Sequence, residues 1–195
     1  MRCALFATGD PESLKTWSGL HPFMLAALQR NLGDVTPIAP MSVQATRFFY
    51  MMANNRQRLT GRWNPAYLNP IAIRLARSKL KSAIIKLQPD VVFAIAASTL
   101  VEAVPDKPKV IYLSNGTFRL LHNYYEKLSG LSTMDARRAD QCEQYAINRA
   151  DAFIYSSEWA AESAVRDYGA PRDKITVVPF GANLPEPPAE ASNVN

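Results

Sequence analysis

Short apolar runs alternate along the chain with longer segments in which apolar residues recur every three or four positions. The short runs cover residues 2–8, 35–39, 91–96, 110–113, 152–155 and 175–178. Uninterrupted apolar runs of this length are typical of strands that are covered on both faces of a sheet. The pattern therefore predicts six strands.

The longer periodic segments predict helices between these strands. They cover residues 22–32, 43–60, 70–88, 99–104, 132–149 and 157–168. Capping residues mark several ends, such as Gly33 after the first helix and Ser157 at the start of the last. The alternation of strand and helix indicates an α/β fold, a Rossmann-like doubly wound parallel sheet with helices on both faces.

Ligands of such folds bind beyond the carboxyl ends of the strands, at the point where the strand order reverses. The loops predicted at that edge are residues 9–19, 97–99, 114–117, 156–159 and 179–183. The sequence has no GxGxxG fingerprint after its first strand, no Walker A motif and no GxSxG nucleophile elbow. We therefore do not expect a dinucleotide-dependent dehydrogenase, a P-loop NTPase or an α/β-hydrolase.

Residue types that bind metal ions are scarce. Cys3 and Cys142 are the only cysteines, His21 and His122 are the only histidines, and neither CxxC nor HExxH spacing occurs. We expect two free thiols, no metal ion and no bound cofactor. The chain begins with an apolar run typical of a strand and not of a signal peptide, and it lacks an apolar stretch of about 18 residues. We therefore expect a cytoplasmic protein.

Positive charge is concentrated in one segment of the chain. The formal net charge is +5, yet no acidic residue lies between Asp34 and Asp90. The basic residues in that interval are Arg47, Arg56, Arg58, Arg62, Arg74, Arg77, Lys79, Lys81 and Lys86. Such a segment either binds an anionic partner, such as phosphate, nucleic acid or acidic lipid, or forms a solvated helical surface. Because no RRM, KH or helix-turn-helix pattern accompanies the charge, we expect no nucleic-acid partner.

The helix predicted at residues 43–60 has two interpretations. Ala45, Phe48, Phe49 and Met52 stand at i, i+3, i+4 and i+7, which is the spacing of one helical face. In the first interpretation the large apolar side chains pack on the sheet and the arginines face water. In the second they form, with the neighbouring arginines, an interfacial helix in peripheral contact with a membrane.

Several motifs along the chain point to one family. The chain reads RADA at residues 149–152, SSEWAA at 156–161, DYGAP at 167–171 and KITVVPFGAN at 174–183. Together they resemble the close of the N-terminal domain in glycosyltransferase family 4, whose members have the GT-B architecture. WSG at residues 17–19 and SNGTF at 114–118 resemble loops in one branch of the same family.

The resemblance implies one half of a two-domain enzyme. Residues 1–184 would form the N-terminal, acceptor-side domain, and residues 185–195 a linker or disordered tail. The C-terminal domain, which holds most contacts to the nucleotide-sugar donor, would lie outside this chain, so we expect the isolated domain to be inactive. The implied reaction is retaining hexosyl transfer from a nucleotide-sugar to a glycan, lipid or small-molecule acceptor. The nucleotide-sugar is then a substrate and not a cofactor.

The resemblance also implies site residues, although it assigns no catalytic residue. The residues expected to face the donor phosphates are Ser18, Gly19, Gly181 and Asn183. The residues expected to bind the acceptor are Trp17, Asn115, Thr117 and His122. A glycine lets backbone N–H groups approach a diphosphate closely, and a tryptophan can stack on a sugar ring.

These residues also have structural alternatives. Gly19 could simply start the first helix, Asn115 and Gly116 could form a turn, and Gly181 and Asn183 could form a hinge. The branch usually has Asp where this chain has Asn115, and an amide cannot act as a base. The alternative function is a non-catalytic Rossmann-like module that binds an anionic ligand or an acidic membrane through residues 43–86.

Overall fold

Six parallel strands form one sheet in the computed structural model, which describes residues 1–181 apart from the side chain of Asn123. The strands are β1 (Cys3–Ala7), β2 (Val35–Ile38), β3 (Val91–Ile95), β4 (Lys109–Ser114), β5 (Ala152–Tyr155) and β6 (Ile175–Val177). Their order in the sheet is β2-β1-β3-β4-β5-β6, and every neighbouring pair is parallel. All six predicted strands and the Rossmann-like α/β fold are confirmed.

Helices connect the strands. They are α1 (Leu20–Leu32), α2 (Val43–Thr60), α3 (Pro70–Leu87), α4 (Ser98–Val101), α5 (Phe118–Tyr124), α6 (Glu126–Ser129), α7 (Thr133–Arg149) and α8 (Glu158–Tyr168). The sequence did not predict α5 and α6, because each is too short to show a repeating apolar stripe. The longer helices start at capping residues: the Ser42 hydroxyl accepts from the Ala45 N–H at 3.2 Å, and the Asn69 side chain accepts from the Ile71 N–H at 2.9 Å.

The two faces of the sheet are covered unequally. On one face Phe6, Val92 and Tyr112 pack into a large core with side chains of α3, α4, α7 and α8. On the other face the strand residues pack with α1, the only α-helix of the described chain in that cluster. This asymmetry follows from the strand order, because only the β1-to-β2 connection runs in the direction opposite to all the others, and right-handed crossovers then place it on the opposite face.

Helix α2 lies away from the sheet. Its buried residues are Phe49 and Ala53, which pack with Ala66 and Ala72 at the start of α3 and its preceding turn. Phe48 and Met52 are 51% and 40% exposed, so the interpretation that packs them on the sheet is wrong. Because α2 buries only Phe49 and Ala53 against its neighbours, the other apolar side chains of the helix remain in solvent. Within residues 1–181, no helix has the length and apolar character needed to cross a membrane.

Candidate functional site

A cavity of about 250 Å³ opens at the carboxyl ends of β1, β3 and β4. Thr8 follows β1, Ala96 follows β3, and Asn115 follows β4, and all three line it. The chain leaves β1 toward β2 on one side and leaves β3 toward β4 on the other, so the connections diverge at this point. The cavity therefore occupies the switch point at which α/β folds of this kind bind ligands.

A buried carboxyl group lies in the cavity wall. The Tyr112 hydroxyl of β4 lies 3.1 Å from both Glu143 Oε1 and Glu143 Oε2 of α7. Burial raises the pKa of Glu143 to about 7, although hydrogen bonds from Ser98 and Tyr112 act to lower it. Near neutral pH this carboxyl group is therefore divided between a form that donates a hydrogen bond and a form that only accepts.

The loop after β4 is held tightly and presents Asn115 to the cavity. The Ser114 hydroxyl donates to the Gly116 carbonyl at 2.8 Å. A Cβ atom on Gly116 would lie only 2.9 Å from Leu121 Cδ2, so any larger residue there would require the Leu121 side chain to shift. The two interpretations of Asn115, a turn residue and a ligand-binding residue, are thus compatible, because the turn places Asn115 at the cavity.

Trp17 forms another wall of the cavity, in a loop with unusual backbone angles. Its ring centroid lies 5.3 Å from that of His21 and 5.4 Å from that of Phe180. Trp17, Ser18 and Gly19 have φ values of 48°, 55° and 75°, all in the left-handed region. Non-glycine residues held there cost about 1–3 kcal/mol each and concentrate at functional sites.

Backbone N–H groups of this loop, which were expected to face the donor phosphates, take part in hydrogen bonds within the turn. The Gly19 N–H donates to the Thr16 carbonyl at 3.0 Å, and the Leu20 N–H donates to the Trp17 carbonyl. A Cβ atom at Gly19 would lie 3.3 Å from the Leu14 carbonyl oxygen. The turn geometry is therefore enough to explain why residue 19 is a glycine. The donor-facing role of Ser18 and Gly19 stays a prediction.

His21 is a residue that the sequence analysis did not assign to the site. Its side chain is buried, and Nδ1 lies 3.1 Å from Thr16 Oγ1. Among the described residues, its buried Nε2 has no hydrogen-bond partner. Burial lowers the pKa of His21, which favours the neutral ring. Buried polar atoms without partners are rare, and this one stands beside Trp17. No spacing in the sequence marks it, because only tertiary packing buries it.

Thr117 and His122 do not line the cavity. The Thr117 side chain is fully buried, lies 2.6 Å from Ser163 Oγ and caps α5 by accepting from the Leu120 N–H. His122 Nδ1 lies 2.8 Å from the Leu128 carbonyl, so this nitrogen carries the proton. Both residues support α5, whose Phe118 does line the cavity, and their contacts to an acceptor stay a prediction.

Gly181 lies at a second, apolar groove and not at the cavity. The groove has a volume of about 380 Å³ and runs between α1 and the open face of the sheet. Its walls include Phe23, Leu113, Ile154 and Phe180. Asn183 and the predicted tail at residues 185–195 lie outside the described residues. No group of three or more metal-ligating side chains that could hold an ion occurs within residues 1–181.

The fold and the cavity define a class: a parallel α/β domain with a cavity at its switch point, walled by a tryptophan, an asparagine and a buried acid. The particular family follows from comparison. Residues 24–185 match the family model Glycosyltransferase Family 4, so the chain belongs to this family. Its sheet is that of one Rossmann-like half of the GT-B architecture. No curated protein matches the chain.

Proposed function

We propose that this chain is the acceptor-binding half of a retaining hexosyltransferase that uses a nucleotide-sugar donor. The observation that carries the proposal is the tryptophan-walled cavity at the switch point of a family 4 domain, whose mostly apolar lining also includes Asn115 and Glu143. Its volume of about 250 Å³ is small for a ligand site and suits one sugar ring better than an extended molecule. The acceptor is a glycan, a lipid-linked sugar or a small molecule that carries such a ring.

The cavity residues divide the work of holding that ring. Trp17 supplies a flat apolar wall, on which the C–H face of a sugar packs. The Asn115 amide can donate to one hydroxyl and accept from another. Glu143, hydrogen-bonded to Tyr112, accepts from an acceptor hydroxyl when ionised and donates to one when protonated. These groups orient the acceptor, and we assign none of them as the catalytic base.

The donor would be held by a second domain. The apolar groove between α1 and β3–β5 supports this part of the proposal, because large exposed apolar surfaces mark contacts with other protein. Gly181 borders that groove, and the loop of Ser18 and Gly19 precedes α1 beside it. In this arrangement the isolated chain binds acceptor but does not transfer sugar, and the reaction needs no cofactor.

The test begins with protein purified from its native source. Its intact mass is measured, and transfer of labelled sugar from UDP-glucose, UDP-N-acetylglucosamine and GDP-mannose is assayed on the same sample. We expect a mass well above that of these 195 residues, or a copurifying subunit, together with transfer from at least one donor. A sample of this chain alone that transfers sugar contradicts the two-domain proposal, and a two-domain sample without transfer contradicts the activity.

The role of Asn115 is tested in the active sample by Asn115→Ala. We expect the KM for the acceptor to rise about tenfold, the effect of losing hydrogen bonds to a neutral ligand, with the donor KM unchanged. Asn31→Ala, at an exposed position near the end of α1, is the matched control. Equal effects of the two variants would remove Asn115 from the site.

A further inference from the structure

The outer face of α2 is an exposed apolar surface to which the proposed function gives no role. Phe48 and Met51 are 51% and 54% exposed, and Leu59 is 87% exposed. Such side chains are normally turned inward in an amphipathic helix, but α2 uses only Phe49 and Ala53 for packing. The helix is well defined by its Ser42 cap and by Gly61 at its end, so its outer residues keep a fixed arrangement.

The exposed residues form a stripe and are not scattered. Phe48, Met52 and Leu59 stand at i, i+4 and i+11, which places them within about 40° of one another around a helix of 3.6 residues per turn. Met51 lies about 80° from the centre of the stripe on one side, toward Arg47 and Arg58, and Phe49, which anchors the helix, lies about 80° from it on the other side. The stripe is thus about a quarter-turn away from the buried anchor. It therefore remains available while α2 is packed on the domain.

Arginines flank the stripe. Arg47 and Arg58, three turns apart on one side of α2, border a shallow cleft with Tyr50 and Met51. Neither α2 nor the following α3 contains an acidic residue. Helix α3 repeats the pattern, because exposed Ile71, Leu75 and Ile85 lie between basic residues on both flanks. Helices α2 and α3 thus each present exposed apolar side chains next to positive charge.

The combination selects one kind of partner. A second copy of this chain would bring two positive faces together, which is repulsive. Nucleic acid would suit the arginines and the Phe48 ring, but Met52 and Leu59, the rest of the stripe, give neither a stacking plane nor a hydrogen bond to bases. The surface of an anionic bilayer suits both, since apolar side chains enter the boundary of the acyl chains while arginines meet lipid phosphates.

We propose that the outer face of α2 docks the protein on membranes that contain anionic phospholipid. The helix has 18 residues and is about 27 Å long, and it would lie in the plane of the interface. Phe48, Met52 and Leu59 enter the bilayer surface, and Arg47 and Arg58 bind headgroup phosphates. This inference does not rest on the proposed sugar transfer, because it uses no residue of the cavity.

The experiment is co-sedimentation of the protein with vesicles of phosphatidylcholine, with and without phosphatidylglycerol. We expect binding only when phosphatidylglycerol is present, and weaker binding as salt is raised. Arg47→Gln with Arg58→Gln should lower the partition coefficient by about 25-fold, a factor of about five for each charge near the surface. Phe48→Ser, Met52→Ser and Leu59→Ser together should lower it by more than about tenfold.

Matched controls come from another exposed surface. Met134→Ser with Arg137→Gln, at exposed positions of α7, removes one apolar and one positive side chain and should leave vesicle binding unchanged. Circular dichroism and the unfolding midpoint establish that every variant is folded. Equal binding to both vesicle types, no binding to either, or equal loss in the controls would overturn the proposal.

Two further outcomes would overturn the proposal by identifying a different partner for the outer face of α2. If polyuridylic acid displaces the protein from vesicles and binds it more tightly than they do, and if the α2 variants abolish that binding, the partner is nucleic acid. If the triple serine variant converts a dimer to a monomer in sedimentation analysis while vesicle binding is absent, the partner is a second copy.

Discussion

Glu143 shows at the scale of one residue how burial creates chemistry. Its carboxyl group lies in the core between α7 and β4, close to Tyr112, Ser98, Tyr155 and Asp140. None of these neighbours supplies a positive charge, so the ionised form is poorly stabilised and the pKa rises to about 7. The group that gives the cavity its polar wall therefore destabilises the fold when it ionises.

The corresponding prediction concerns pH and stability. Between about pH 4.5 and pH 7 the native protein holds a proton on Glu143 that the unfolded chain has lost, so the free energy of unfolding falls as the pH rises. The slope from this group is at most about 1.4 kcal/mol per pH unit. Glu143→Gln should abolish this component, so that the variant gains stability relative to wild type as the pH rises toward neutral.

Urea denaturation of both proteins from about pH 5 to about pH 8 measures this difference. Taking the difference matters because His21, whose pKa is lowered by burial, contributes a slope of the opposite sign below about pH 6.5 in both proteins. Parallel curves for wild type and Glu143→Gln would show that the carboxyl group does not titrate in this window.

At the scale of elements, one polar network joins three helices. Arg119 of α5 makes two hydrogen bonds to Asp140 of α7, at 2.7 and 3.0 Å, and its guanidinium lies 4.5 Å from the ring centroid of Tyr168 in α8. The Tyr168 hydroxyl donates to Asp140 at 2.8 Å. Burial acts to raise the pKa of Asp140, but the bonds from Arg119 and Tyr168 outweigh it and hold the pKa below its usual value.

Breaking this network should loosen α5, which carries one wall of the cavity. Asp140→Asn removes the charge but keeps the shape, and because the pair is partly exposed we expect a loss of about 1 kcal/mol near neutral pH. The loss should shrink as the pH falls through the native pKa of Asp140, where wild type also loses the ionised form. Thermal and urea unfolding measure it.

A second ion pair provides the control for Asp140. Glu158 and Arg172 are 62% and 52% exposed at their side chains, so solvent screens their attraction. Glu158→Gln should change stability by less than about 0.5 kcal/mol. A cost for Glu158→Gln equal to that of Asp140→Asn would mean that the network adds nothing to an ordinary surface pair.

At the scale of the whole molecule, the sheet is covered on one face by α3, α4, α7 and α8 and on the other by α1. A further apolar groove lies beside α1, and its walls include Phe23, Leu113 and Phe180. The α2 face lies outside this arrangement, because its cluster contains no strand residue. Within residues 1–181, the cavity, the groove and the α2 face are therefore separate surfaces.

The groove predicts that the isolated chain binds a hydrophobic dye such as anilinonaphthalene sulfonate. Ile154→Thr, which replaces a half-buried groove residue while keeping a β-branched side chain, should reduce the dye fluorescence at little cost in stability. Val177→Thr on the other face of the sheet is the control and should leave the fluorescence unchanged. Unchanged fluorescence in Ile154→Thr would place the dye elsewhere.

The sequence predicted the elements well because strand and helix signals are local. The predicted strand at residues 152–155 and helix at 43–60 coincide with β5 and α2, and the family motifs near the end of the chain were read correctly. The cavity was only partly predicted. Trp17 and Asn115 line it, whereas Tyr112 and Glu143 were missed because they are 31 residues apart and resemble ordinary strand and helix residues.

The order of short apolar runs and periodic segments by itself determined the parallel α/β fold, since those patterns record which faces each element buries. Tertiary structure alone decided which of the polar residues meet at the switch point and which apolar residues of α2 are covered. A helical pattern shows that a face is apolar, but whether that face is buried depends on whether another element packs against it. On α2 only Phe49 and Ala53 found such a neighbour, and Phe48, Met52 and Leu59 were left facing outward.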